Sequence, residues 1–226
     1  MKGHWQLLAL VAVIFALWST PVMVPLKIVV VLLHELSHGL AALLTGGSIE
    51  QITISPEQGG LALTRGGSRF LTLTAGYLGS LVLGMALLFA ALRSTADRAV
   101  VALLGLGLLV VSALYLRDLF ALVFCVGLAA ALLAVARWLD HRANDLVLRV
   151  IGLTSMIYVP FDIFSDTIAR SHLQSDAWMM ANEFGGATVL WGGLWLVLSV
   201  LAIGASLRYG LGESSNIAFG KTSSDI

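Results

Sequence analysis

The chain has 226 residues, of which 58% are apolar and 12% charged, with 13 basic against 13 acidic residues and a mean hydropathy of +0.94. A soluble domain carries about a quarter charged residues, so a water-facing globule is excluded, and a formal net charge of zero leaves no basic face for nucleic acid. The single cysteine, Cys125, has no partner for an internal disulfide and reads as a small buried hydrophobe.

The first apolar segment covers residues 5–19. Ser19-Thr20-Pro21 offers no small-x-small cleavage site and a second apolar run follows at once, so the segment reads as an uncleaved first span. The second span covers residues 26–45, after Pro21 and Pro25, and stops at Gly46-Gly47. In its middle stands His34-Glu35-Leu36-Ser37-His38. Residues four apart share a helix face, so both imidazoles can grip one metal ion, with Glu35 beside them to take a proton from water. Ionisable groups at bilayer depth cost roughly 2.5–3.5 kcal/mol each on insertion scales. Three on two turns of one helix imply a purpose.

Residues 48–69 change in kind. Ile49, Ile52 and Ile54, then Leu61 and Leu63, alternate with polar residues around Pro56-Glu57-Gln58-Gly59-Gly60, predicting a β-hairpin at the membrane surface. A third span follows at 70–92, where Gly76, Gly79 and Gly84 would let helices approach closely. The fourth (99–114) and fifth (119–138) are separated by only four residues and should be antiparallel neighbours. The sixth, at 146–169, contains Pro160, and Asp162, Asp166 and Arg170 form one stripe at i, i+4 and i+8. Residues 171–186 form a polar connection with a short helix starting at Asp176, and 187–207 form a seventh span. With no internal repeat and no long linker, residues 1–209 read as one integral membrane domain and 210–226 as a disordered polar tail. The fold class is therefore an all-α polytopic membrane protein of six to seven transmembrane helices with one small hairpin. Lys and Arg fall in loops on both sides, so charge asymmetry does not fix the orientation.

A hydrolytic zinc ion takes three protein ligands and leaves one position for water. His34 and His38 supply two, and the third must come from another segment. Arg170 is placed to neutralise Asp166 one turn away, which leaves Asp162 as the expected metal ligand and Asp166 as its alternative, or as a group orienting a histidine. Asp176 follows Ser175 and fits a helix start, with a role in the site left open. Lys27 lies near a helix end and is expected to snorkel, and His4, His141 and His172 fall in tails or loops and read as solvated.

At this point the sequence resembles the site-2 protease family of intramembrane zinc metallopeptidases, in its compact branch without a PDZ domain. The resemblance covers roughly residues 26–169 and rests on His34-Glu35-Leu36-Ser37-His38 within a span, on Ala75-Gly76-Tyr77-Leu78-Gly79 in a later span, and on an Asp after a proline in a late span. Tyr77 stands where that motif usually continues with Pro, and Asp162 is followed by Ile163 where the family has Gly. The resemblance implies Zn²⁺ as cofactor, Glu35 as catalytic base, transmembrane proteins as substrates, regulated intramembrane proteolysis in the lipid bilayer, and a bacterial inner-membrane location. Two other functions fit the same residues: a transporter or metal-ion carrier, and a non-catalytic relative that binds membrane segments.

Overall fold

The structure is a computed structural model and describes residues 3–212 and 214–217. Eight α-helices and one hairpin follow in chain order: α1 (Trp5–Leu17), α2 (Val24–Leu44), β1 (Ser48–Ile54), β2 (Gly60–Arg65), α3 (Arg69–Arg93), α4 (Asp97–Tyr115), α5 (Leu119–Trp138), α6 (His141–Phe164), α7 (Asp176–Phe184) and α8 (Thr188–Gly210). Among the described residues, six helices are long and apolar enough to cross a membrane: α2, α3, α4, α5, α6 and α8. At 1.5 Å per residue, the 13 residues of α1 reach only about 20 Å, short of a hydrocarbon core of about 30 Å. A 3₁₀ turn at Pro21–Met23 joins α1 to α2. The polar stretch before the sixth span forms the first turns of α6, because Asp140 caps it by accepting from the Ala143 amide (3.0 Å).

The centre of the bundle is α3, held between α2 and α6 by residues without side chains. A Cβ on Gly79 would lie 2.7 Å from Ser37 Cβ, one on Gly84 would lie 2.6 Å from Ser155 Oγ, and one on Gly152 would lie 2.7 Å from the Gly84 carbonyl oxygen. Where α3 and α6 touch, the Ser155 hydroxyl donates to the Ser80 carbonyl (2.8 Å). Lipid tails are as apolar as leucine, so helix association in a bilayer depends on this kind of backbone approach and interhelical hydrogen bonding. The α4/α5 pair is antiparallel, as its short connection predicts, with Gly105 against Leu133 and the Ala129 carbonyl. Cys125 is a buried free thiol.

The two strands pair antiparallel, with Ile52 opposite Ala62 and a register shift between Ile49 and Gln51. Fully buried Ile52 also bridges to Leu116 in the α4–α5 connection, which seats β1 on the bundle and leaves the outer edge of β2 unpaired.

Far from the hairpin along α6, Arg149 is buried against Asp145, its Nη2 donating to Oδ2 (3.0 Å). Its Nη1 donates to the Ser215 carbonyl. The Ser215 amide donates to Gly3 O (2.8 Å), its hydroxyl pairs with His4 Nδ1 (2.9 Å), and Gln6 Nε2 donates to Ile217 O (3.2 Å). Part of the expected tail is thus laid against the start of α1, while residues 218–226 lie outside the described residues. His141 is exposed, as expected, and sits 2.8 Å from buried Asp97.

Substituting Gly84→Val should lower stability by about 1–3 kcal/mol through overpacking. A methyl added at Gly107 meets nothing within 4 Å, so Gly107→Ala should be neutral or stabilising by up to about 1 kcal/mol. Thermal unfolding in detergent compares the two.

Candidate metal centre

His34 lies midway along α2, about 15 Å from either end. Its Nε2 is 2.9 Å from Asp176 Oδ2, and His38 Nε2 is 3.2 Å from the same oxygen. Two ligands on tetrahedral zinc at about 2.0–2.1 Å are separated by about 3.4 Å, so these spacings are close to those of a closed coordination edge. Among the described residues, His34, His38 and Asp176 are the set of His, Cys, Asp and Glu whose ligand atoms all lie within 4.8 Å of one another.

Each group is aimed by its own element. The helical repeat puts both imidazoles on one face of α2, their rings 4.7 Å apart and steeply inclined at 77°. His38 Nδ1–H donates to the Thr72 carbonyl of α3 (2.7 Å), which orients the ring and turns Nε2 toward the centre. Gly76 of α3 lies directly against the pair: a Cβ there would be 2.6 Å from His38 Nε2 and closer still to His34 Nε2. The space at both nitrogens exists because this position has no side chain.

Asp176 opens α7, where Ser175 caps the helix by accepting from the Trp178 amide (3.3 Å). Ala177 and Met180 are fully buried, and Arg69 Nε at the start of α3 donates to Glu183 (3.0 Å), so α7 is docked at both ends. Burial alone would lift the Asp176 carboxyl above the usual carboxylate range. The charge of His38 and hydrogen bonds from both histidines outweigh it and hold the group well below that range.

Glu35 is 6% exposed and faces the hairpin. A Cβ on Gly60 would lie 2.7 Å from Glu35 Cγ, and the Ala62 backbone amide interacts with the carboxylate, so the outer edge of β2 runs past this acid. Together they border a cleft of about 1040 Å³. One wall is residues 59–64, and the other carries Trp18, Tyr158, Phe161, Asp162 and Asp166. Lys27 also faces this cleft, its ammonium over the Trp18 ring at 4.6 Å.

The structure brings His34, Glu35 and His38 together and sets Asp176, rather than Asp162 or Asp166, within ligand distance of the two imidazoles. Asp162 and Asp166 line the same cleft yet fall outside the close set. Asp166 accepts from Tyr77 Oη (3.2 Å) and pairs with Arg170 as the stripe predicts, while Asp162 is hydrogen-bonded to Tyr158 one turn away. The physical reason is the break in the helix. After Phe164 the backbone widens into a π-turn at Ser165–Ala169, and the connection to α7 then carries Asp176 back over the imidazoles.

A family model described as peptidase M50B-like matches residues 7–206. The chain belongs to that family. It is accordingly a multi-pass membrane protein of a metalloprotease family, in agreement with the site-2 protease resemblance and with six membrane-length helices around the site. No curated protein and no solved structure matches the chain.

Gly76→Ala should push the two imidazoles apart and weaken any divalent-metal binding at this centre, because the added methyl would occupy the space where both Nε2 atoms converge. Metal analysis of the purified variant tests this, with circular dichroism to confirm that the helices remain.

Proposed function

We propose that the protein is an intramembrane zinc metalloendopeptidase that hydrolyses peptide bonds of membrane-embedded protein substrates, as in regulated intramembrane proteolysis. The observation that carries this reading is the convergence of two imidazoles and one carboxylate at mid-span with a carboxylic acid beside them in an accessible cleft. His34, His38 and Asp176 would hold the ion, two nitrogens and one oxygen being a common donor set of hydrolytic zinc. Bound there, zinc supplies Lewis acidity, polarising a carbonyl and making water acidic enough to lose a proton near pH 7.

The remaining work belongs to the chain. Glu35 takes a proton from the attacking water at its carboxylate and returns it to the leaving amide nitrogen. Gly60 of the hairpin lies directly against Glu35, so that a side chain at this position would collide with the carboxylate. A transmembrane helix has its peptide groups tied up in internal hydrogen bonds, so a substrate must unwind before attack. The unpaired edge of β2 offers such a segment backbone partners beside Glu35, and strand addition would hold it extended.

Glu35→Gln should keep stoichiometric zinc and lose hydrolysis by about 10²-fold or more, whereas a metal-ion carrier would retain transport. In the same metal analysis Asp176→Ala should lose zinc and Asp162→Ala should keep it. The reverse result would restore Asp162 as the ligand. Thr64→Pro removes an amide on the same edge as that of Ala62, two residues away. It should raise KM for a transmembrane substrate more than for a short soluble peptide, and equal effects on both would count against strand addition.

A further inference from the structure

The two histidines are held in different ways. His38 is oriented by its hydrogen bond to the Thr72 carbonyl, but among the described residues no hydrogen bond besides the one to Asp176 is made by His34. What bounds the His34 ring instead is aromatic. Tyr77 of α3, 2% exposed, meets it edge to face with ring centroids 4.7 Å apart at 83°. The positive edge of one ring against the negative face of another is a preferred and directional contact.

Tyr77 is itself fixed from two sides. Its hydroxyl donates to Asp166 Oδ2 (3.2 Å), and the other oxygen of Asp166 pairs with Arg170, whose guanidinium also donates to Ser165 Oγ (2.9 Å). Trp195 of α8, 1% exposed, backs the ring at 5.7 Å. Asp166 belongs to the π-turn from which the connection to Asp176 leaves. A continuous set of contacts therefore joins the histidine of α2 to the segment that delivers the carboxylate.

We propose that Tyr77 is a positioning residue that clamps the His34 imidazole, with Asp166 anchoring the clamp, so that His34 and Asp176 are presented to the metal in register. The inference rests on the zinc reading above and gives Asp166 a role as the support of a ligand. Ring and anchor make separable contributions. Tyr77→Phe keeps the ring and loses only the bond to Asp166; Tyr77→Leu removes the ring; Asp166→Ala removes the anchor and leaves the ring.

The test is zinc release to a chelator from the purified full-length protein, together with the visible absorption of the cobalt(II)-substituted protein and separate kcat and KM values. Removing a group that orients a metal ligand costs about 10–100-fold in metal affinity. Tyr77→Leu should release zinc at least about 10-fold faster and shift the cobalt bands, with any loss in kcat exceeding the change in KM. Tyr77→Phe and Asp166→Ala both break the anchoring bond and keep the ring, so both should release zinc about threefold faster than the wild type and more slowly than Tyr77→Leu. Wild-type release and wild-type cobalt bands in Tyr77→Leu would overturn the proposal, as would Tyr77→Phe being as damaged as Tyr77→Leu. Should Tyr77→Leu fail to fold, Tyr77→Phe and Asp166→Ala decide the matter, since wild-type release and wild-type cobalt bands in both would overturn the proposal. A wild-type protein that binds no zinc would instead sink the metal centre itself, so the two failures are told apart.

Discussion

How closely α3 can lie on α2 governs the rest of the molecule. Three glycines of α3 are used at successive levels: Gly76 against the imidazoles, Gly79 against Ser37 and Gly84 against α6. In water a hydrophobic core would draw such helices together whatever their faces. In hydrocarbon that force is missing, and contact depends on fit. With a side chain at position 76 the helices would have to separate, and the Thr72 carbonyl would leave His38. The approach of two backbones and the preparation of a ligand cluster are thus one event.

The sequence alone conveyed the bundle well, because length and hydropathy of spans are local properties. The α4/α5 pair, the hairpin and the proline-to-glycine limits of α2 all followed from residues near one another in the chain. His34, Glu35 and His38 were legible for the same reason, since the helical repeat alone puts both imidazoles on one face. The carboxylate proposed as third ligand was not singled out. Asp176 is 142 residues from His34, and its immediate context, Ser175 before an acid in a first helical turn, is the ordinary signature of a helix start. The Asp162–Asp166–Arg170 stripe was geometrically sound and did form the Asp166–Arg170 pair. What periodicity could not foretell was the π-turn that ends α6 and lets the following segment fold back over the site. The glycines of α3 were correctly read as packing, but at Gly76 the packing partner is the site itself.

Around the cluster the cleft combines two kinds of surface. Rings of Trp18, Tyr158 and Phe161 form an apolar side, with Trp18 and Phe161 centroids 5.7 Å apart. Facing them is a strand edge with open backbone groups. Such unpaired groups are not tolerated against lipid and persist at depth only where they line a cavity. The hairpin can therefore sit beside a mid-span site because the cleft, rather than the bilayer, is its solvent.

The contacts of Arg149 constrain the order in which the protein is built. Its guanidinium is satisfied by Asp145 one turn away and by the carbonyl of Ser215, which also touches Gly3 and His4. While the ribosome is still adding α8, the local pair can form but the Ser215 carbonyl does not yet exist. Closure of this polar knot must follow synthesis of every helix, as contacts of long sequence separation generally do. Until then Arg149 of α6 has Asp145 as its partner and lacks the Ser215 carbonyl.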